Sequence, residues 1–150
     1  MRRVSIAVAV LALAACAPKE QPADTTATAA PPAPTIALSD VAGTWTASVM
    51  RQDSDSVILT YELVASADPT AWTITFPGRP PIAVRPTVDG DSIMTEAGPY
   101  ESVLRKGVQV TTQGVVRLVN GELVGTTTGR YQTSGADSVS MFRIRATKKM

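Results

Sequence analysis

The chain of 150 residues contains no histidine, and this absence excludes several classes of enzyme. Hydrolases with a histidine base, zinc sites with histidine ligands and acid–base catalysis by imidazole all require that residue. The sequence also lacks a glycine-rich turn leading into a helix, which phosphate-binding loops need. We therefore expect a protein that is not an enzyme, with no catalytic residue, no metal site and no cofactor.

The sequence has no excess of charge of either sign, because 14 basic residues stand against 13 acidic ones. Two of the basic residues, Arg2 and Arg3, belong to an N-terminal segment whose character suggests that it is removed. Proteins that bind nucleic acid need a clustered basic surface to neutralise phosphates. Nucleic acid is therefore not an expected partner.

Cysteine occurs only once, at Cys16, so no disulfide can form within the chain. The segment before it begins with Arg2 and Arg3 and continues as a nearly unbroken apolar run from Val4 to Leu13. This layout is typical of a secretory signal peptide. The run has about ten residues, whereas a membrane-spanning helix needs roughly 20. We predict that residues 1–15 are a signal peptide.

The four residues Leu13-Ala14-Ala15-Cys16 resemble a bacterial lipobox, the motif at which lipoprotein signal peptides are cleaved. The resemblance implies that Cys16 becomes the first mature residue and carries a diacylglycerol thioether and an amine acylated by palmitate or a similar acid. Several acyl chains, at about 0.8 kcal/mol per buried methylene, hold a protein firmly on a bilayer. Ala17 favours the outer membrane, facing the periplasm, because lipoproteins kept in the inner membrane often have aspartate there. An ordinary signal peptide that happens to contain a cysteine is the alternative.

Residues 16–37 are rich in alanine, proline and threonine and show no apolar periodicity. A segment of this composition cannot bury a core, so we predict a disordered linker between the lipidated cysteine and the folded domain. Residues 38–150 are numerous enough for one domain with a modest core.

The sequence of this domain alternates between apolar and polar residues, as strands buried on one face do. The turn signals Asp89-Gly90, Asn120-Gly121 and Ser134-Gly135 separate some of these runs. Asn-Gly and Asp-Gly pairs supply the positive φ angles of tight hairpins. We predict eight strands, at about residues 44–51, 56–66, 71–77, 81–88, 92–98, 108–118, 122–131 and 138–148.

Eight successive antiparallel strands can close into an up-and-down barrel, which removes exposed sheet edges. The stretch VAGTWT, from Val41 to Thr46, resembles the opening of the first strand in lipocalin-like (calycin) barrels. The resemblance implies that Gly43 makes a turn and that Trp45 plugs the closed end. We predict an all-β, lipocalin-like, eight-stranded antiparallel barrel that is a monomer, with an open β-sandwich of the same strands as the alternative.

The seventh predicted strand places two glycines on one face, together with Leu123, Thr127 and Tyr131. Glycine weakens a strand unless another group approaches closely, and an eight-stranded barrel is wide enough either to be filled or to hold one small ligand. A large side chain therefore covers the glycines, or they leave room for a guest. The candidate pocket residues are Trp45, Tyr61, Trp72, Gly125, Thr127, Gly129 and Tyr131.

A second cluster, formed by Glu96, Tyr100, Glu101 and Arg105, lies where the fifth predicted strand ends. At a barrel mouth these groups could orient a polar part of a ligand, and the alternative is a surface ion pair in a loop. We predict a non-catalytic binding module for a small apolar molecule. Two alternatives are a structural lipoprotein of the envelope and a protein-binding barrel, since DVAGTW resembles the opening of small periplasmic metalloprotease inhibitors.

Overall fold

The structure is a computed structural model that describes residues 35–150. Residues 1–34 lie outside the described residues; they include the predicted signal peptide, Cys16 and most of the predicted linker. Within residues 35–150 the chain forms eight strands and three short 3₁₀ helices, at Leu38–Val41, Pro69–Ala71 and Ala136–Ser138. The strands are β1 (Gly43–Arg51), β2 (Val57–Ala65), β3 (Thr73–Thr75), β4 (Ile82–Asp89), β5 (Ser92–Glu101), β6 (Gln109–Val119), β7 (Glu122–Tyr131) and β8 (Val139–Lys148).

The eight strands form a closed antiparallel barrel in which each strand pairs with the next and β1 pairs with β8. The predicted number and order of strands and the up-and-down barrel are confirmed, and the sandwich is excluded. Two strands differ from the prediction by more than one residue at an end, because β3 is shorter and β5 is longer. The closing pair aligns Ala47 with Ala146 and Val49 with Ile144, so small and branched apolar residues meet inside the barrel.

Two of the predicted turns have the backbone angles that tight hairpins require. Asn120 and Gly121 both have positive φ angles, of 51° and 81°, as a mirror-image two-residue turn demands. Gly90 has a φ angle of 57° in the short turn between β4 and β5. These turns therefore fix the β4–β5 and β6–β7 hairpins directly from the sequence.

One end of the barrel, which we call the closed end, is sealed by the 3₁₀ helix Leu38–Val41 and by two tryptophans. Trp45 is 2% exposed, and its indole N–H donates to the Val41 carbonyl at 2.8 Å. Trp72 is fully buried and donates its indole N–H to the Ser66 carbonyl at 2.7 Å. A buried indole needs such a partner, so both side chains are held in one place.

The other end, which we call the mouth, is formed by four connections of five to seven residues each. Strand direction alternates, so the β1–β2, β3–β4, β5–β6 and β7–β8 connections all lie there. The longest of them include residues 102–108, between β5 and β6, and residues 132–138, between β7 and β8. The fold thus packs one end around two tryptophans and places the connections at 102–108 and 132–138 at the other.

Candidate functional site

The interior of the barrel contains two small cavities. The upper cavity, near the mouth, has a volume of about 60 Å³, and the lower cavity, towards the closed end, has about 50 Å³. No charged side chain lines either cavity in the part of the chain that the structure describes. Four residues line both cavities and therefore form the layer between them: Tyr61, Ile74, Thr112 and Thr127.

Three aromatic rings form one wall of the upper cavity, beside the short strand β3. The ring centroids of Tyr61 and Phe76 are 5.5 Å apart in an edge-to-face arrangement, and those of Phe76 and Tyr100 are 5.7 Å apart. β3 pairs with β2 only from Glu62 to Val64. These three aromatic rings therefore close the part of the barrel wall along which the three-residue strand β3 does not extend.

Tyr100 points into the barrel because the register of β5 shifts just before it. Ala97 pairs with Thr112, but the next paired residue is Tyr100, opposite Val110. Between these two pairs the chain advances by three residues along β5 but by only two along β6. The extra residue in β5 turns the side chains that follow it to the other face of the strand. Without this shift, strict alternation from the buried Ala97 would place Tyr100 outside.

Hydroxyl groups are the polar atoms of this site. The Tyr100 hydroxyl lies 3.5 Å from the Thr112 hydroxyl, and the Thr127 hydroxyl donates to the Gln113 carbonyl at 3.3 Å. Burial raises the pKa of Tyr61 far above its ordinary value, and the neighbouring Tyr100 raises it further. Burial also raises the pKa of Tyr100. Both phenols are therefore neutral in the physiological range.

Residues 102–108, which we call the mouth loop, cover the upper cavity. Val103 and Leu104 line the cavity from this loop, although about two fifths of Leu104 is exposed. Ser102 is buried, and its hydroxyl accepts from the backbone N–H groups of Leu104 at 3.1 Å and Arg105 at 3.0 Å. The serine side chain thus sets the turn that folds two apolar residues over the opening.

Arg105 ties the mouth loop to the opposite side of the mouth. Its guanidinium lies 4.0 Å from the ring centroid of Tyr131 and donates to the Asp137 carbonyl at 2.6 Å and to the Ser140 hydroxyl at 3.3 Å. A guanidinium over an aromatic face is an attractive contact. One side chain therefore connects the β5–β6 loop to the β7–β8 connection across the cavity.

The base of the mouth loop is held by two further contacts. Arg79, from the β3–β4 connection, donates to the backbone carbonyl of Glu101. The Glu101 carboxylate accepts from the backbone N–H of Gly107 at 3.1 Å. These contacts fix the two ends of the mouth loop. The contacts of Arg105 hold its tip against the opposite side of the mouth.

The structure brings four of the seven predicted pocket residues to the upper cavity: Tyr61, Thr127, Gly129 and Tyr131. Trp45 and Trp72 lie instead in the core at the closed end and line neither cavity. Their size made them pocket candidates in the sequence, but their indole hydrogen bonds hold them in the seal of that end.

The two glycines of β7 differ in their surroundings. A Cβ atom at Gly125 would lie 1.9 Å from the Val115 carbonyl oxygen, so Gly125 permits close approach of the β6 backbone and lines neither cavity. A Cβ atom at Gly129 would lie 3.3 Å from the Tyr131 ring. An aromatic side chain therefore covers Gly129 in part, while Gly129 still forms part of the cavity wall.

Three of the four predicted mouth residues, Tyr100, Glu101 and Arg105, lie at the mouth, but Glu96 does not. Glu96 is on the outer surface, where its carboxylate pairs with Arg85. The hydrogen bond from Arg85, with a second from Gln113, lowers the pKa of Glu96. Glu96 precedes the register shift of β5 and so points the opposite way from its buried neighbour Ala97.

Several lining residues were not among the predicted pocket residues. Leu59, Phe76 and Phe142 belong to alternating runs of the sequence, so their inward direction could have been read from that pattern. Val103 and Leu104 belong to no strand pattern, and only the fold of the mouth loop brings them to the cavity.

Within residues 35–150, no three acidic side chains lie close enough together to hold a metal ion. No helix of this part of the chain has the length and apolar character needed to cross a membrane. Comparison with known proteins yields no family model, no curated protein and no solved structure that matches the chain.

Proposed function

We propose that the barrel is a non-catalytic binding module that holds a small, largely apolar molecule in its upper cavity. One observation carries this proposal: the upper cavity has aromatic and aliphatic walls without charge in the described residues, and Val103 and Leu104 of the mouth loop line it at the mouth. Ligand sites are concave, mostly apolar and equipped with a few polar groups. The lower cavity is of similar volume, but it lies deeper in the barrel, and the closed end beyond it is sealed by two buried tryptophans.

The size of the upper cavity limits the guest. Its volume of about 60 Å³ is well below the roughly 150 Å³ of an engineered apolar cavity that binds benzene. A guest larger than a few water molecules therefore requires a side chain to move. Tyr131 is the side chain best placed to do so, since its ring rests on Gly129, which has no side chain, and is held from above by Arg105.

The same proposal includes the location of the protein. The lipobox-like residues before Cys16 support a lipid anchor, and Ala17 supports the outer membrane with the barrel in the periplasm. The lipocalin-like opening VAGTWT supports a ligand-binding barrel. Replacement of Cys16 by alanine should release the protein from the membrane fraction, and continued membrane association of this variant would refute the anchor.

A protein-binding role is the second candidate, and a patch on the outer wall favours it. Met94 and Val115 face each other across β5 and β6, and both side chains are more than two fifths exposed. Large contiguous patches of exposed apolar side chains mark interaction surfaces. Two side chains form a small patch, so we place this role behind ligand binding.

The proposal is tested by filling the upper cavity. In Gly129→Leu the new side chain occupies the space into which a guest would enter, and it displaces the Tyr131 ring. We expect a loss of about 1–3 kcal/mol in the free energy of unfolding and the loss of toluene binding, measured by titration of the protein's NMR spectrum. Thr126→Leu is the matched control, because Thr126 lies exposed on the same strand.

Toluene binding by the wild type and by Thr126→Leu, but not by Gly129→Leu, would support the proposal. If the wild type binds neither toluene nor phenol at saturating concentration, the binding function is refuted. If Gly129→Leu binds toluene as well as the wild type, the guest does not occupy the upper cavity.

A further inference from the structure

We infer that the ligand of this cavity is an uncharged molecule with one hydrogen-bonding group, such as a hydroxyl, attached to an apolar ring or chain. This inference rests on the proposed binding function and adds the chemical class of the ligand. Three observations support the inferred ligand class: the position of the hydroxyl groups in the barrel interior, their unused hydrogen-bonding capacity, and the charges around them.

The interior hydroxyls are concentrated in one layer of the barrel. Tyr61, Thr112 and Thr127 line both cavities, and Tyr100 and Tyr131 add their side chains to the upper one. Apart from these residues, Ser102 and Thr95, the two cavities are lined by glycine or hydrocarbon side chains. A guest in the upper cavity would therefore have an apolar body among the rings and meet hydroxyl groups at its inner end.

These hydroxyls have capacity that the described residues do not use. The Tyr61 hydroxyl makes no hydrogen bond within residues 35–150, and the bond between Tyr100 and Thr112, at 3.5 Å, is long. Thr127 donates to a backbone carbonyl and keeps its oxygen available as an acceptor. Since a hydroxyl both donates and accepts, this layer can bond a ligand group of either kind.

The surroundings disfavour a charged ligand. No acidic or basic side chain lines either cavity within the described residues, and an ion without a partner in such a site loses its hydration without compensation. Two cations at the mouth are already bonded: Arg105 to Asp137, Ser140 and the face of Tyr131, and Arg79 to the Glu101 carbonyl. An anionic head group would have to break these contacts to reach either cation.

Three probes of similar size separate the possibilities: toluene, phenol and benzoate, each titrated at pH 7 into the purified protein and followed by NMR. One additional hydrogen bond should make phenol bind about three- to tenfold more tightly than toluene. Benzoate, which is charged at this pH, should bind more than about tenfold more weakly than phenol.

Two conservative variants locate the effect in the hydroxyl layer. Thr127→Val and Tyr61→Phe remove one hydroxyl each with little change in shape, so the ratio of the phenol affinity to the toluene affinity should fall towards one. Thr126→Val removes an exposed hydroxyl from the same strand and should leave the preference unchanged. The dispersion of the amide resonances in the NMR spectrum of each variant shows whether it is folded.

The outcomes distinguish this inference from the function on which it rests. If the wild type binds phenol and toluene equally, or binds benzoate most tightly, the inferred ligand class is wrong although a binding function remains. If no probe binds, both are wrong. A phenol preference that survives in both Thr127→Val and Tyr61→Phe would also overturn the inference.

Discussion

At the scale of single residues, Gly125 and Gly129 show how two identical residues on one strand serve different purposes. Gly125 allows the β6 backbone to come so close that a Cβ atom would collide with the Val115 carbonyl, whereas Gly129 faces only the edge of the Tyr131 ring. The sequence predicts that both lie on the same face of β7. It does not predict the distances, because these depend on how the closed barrel bends β7 against β6.

Replacement of each glycine by alanine separates the two roles. Gly125→Ala should lower the free energy of unfolding by about 1–3 kcal/mol, because the backbone of β6 must shift. Gly129→Ala should cost less than about 1 kcal/mol, because the Tyr131 side chain can move by a few tenths of an ångström and alanine suits a strand better than glycine. Urea unfolding measures both values. Equal costs at the two positions would contradict this assignment.

The buried phenol of Tyr61 predicts a specific loss of stability at alkaline pH. Its pKa in the folded protein is raised above the ordinary value of 10, so folding favours the neutral form. The stabilisation is complete below pH 10 and is lost as the pH rises above the pKa of the unfolded chain. Between pH 10 and pH 12, the free energy of unfolding of the wild type should therefore fall more steeply than that of Tyr61→Phe. Parallel curves would show that Tyr61 ionises freely in the folded state.

At the scale of elements, the strands follow from alternation and turn chemistry, but the register shift in β5 does not. The run of residues 92–98 predicts the first part of β5, and the strand continues to Glu101 only because an extra residue is accommodated between Ala97 and Tyr100. Strict alternation of inward and outward side chains along a strand gives no sign of such an inserted residue. The prediction from sequence therefore places Glu96 and Tyr100 in one cluster, although the two side chains point to opposite sides of the barrel wall.

Val103 and Leu104 of the mouth loop line the upper cavity, and the Arg105 side chain connects this loop to the opposite side of the mouth. Arg105→Gln should remove the contact with the Tyr131 ring and weaken the bond to the Asp137 carbonyl. We expect faster hydrogen exchange at the amides of residues 103–106, because the loop opens more often. The free energy of unfolding should change by less than about 0.5 kcal/mol, as is usual for a partly exposed side chain.

Arg130→Gln provides the control for this experiment, because Arg130 lies exposed near the mouth end of β7. It should leave the exchange rates of the mouth loop unchanged. Exchange that is equally fast in the wild type and in Arg105→Gln would mean that Arg105 does not hold the loop.

At the scale of the whole molecule, the sequence predicts the barrel because its local signals agree. Eight alternating runs, short turns and the absence of helical spacing together favour a closed meander, and the structure has this topology. The state of the interior could not be predicted in the same way. Whether a barrel of eight strands is filled or hollow depends on a few side chains, here the ring of Tyr131 and the tip of the mouth loop.

In the proposed function, a small molecule binds inside the barrel, beneath the mouth loop. Intermolecular nuclear Overhauser effects from phenol protons to protein side chains detect such a guest most directly. We expect contacts with Leu59, Val110 and Phe142, which line the upper cavity. Contacts with Met94, Val115 and Met141, whose side chains are exposed, in place of the interior residues would contradict the proposed function.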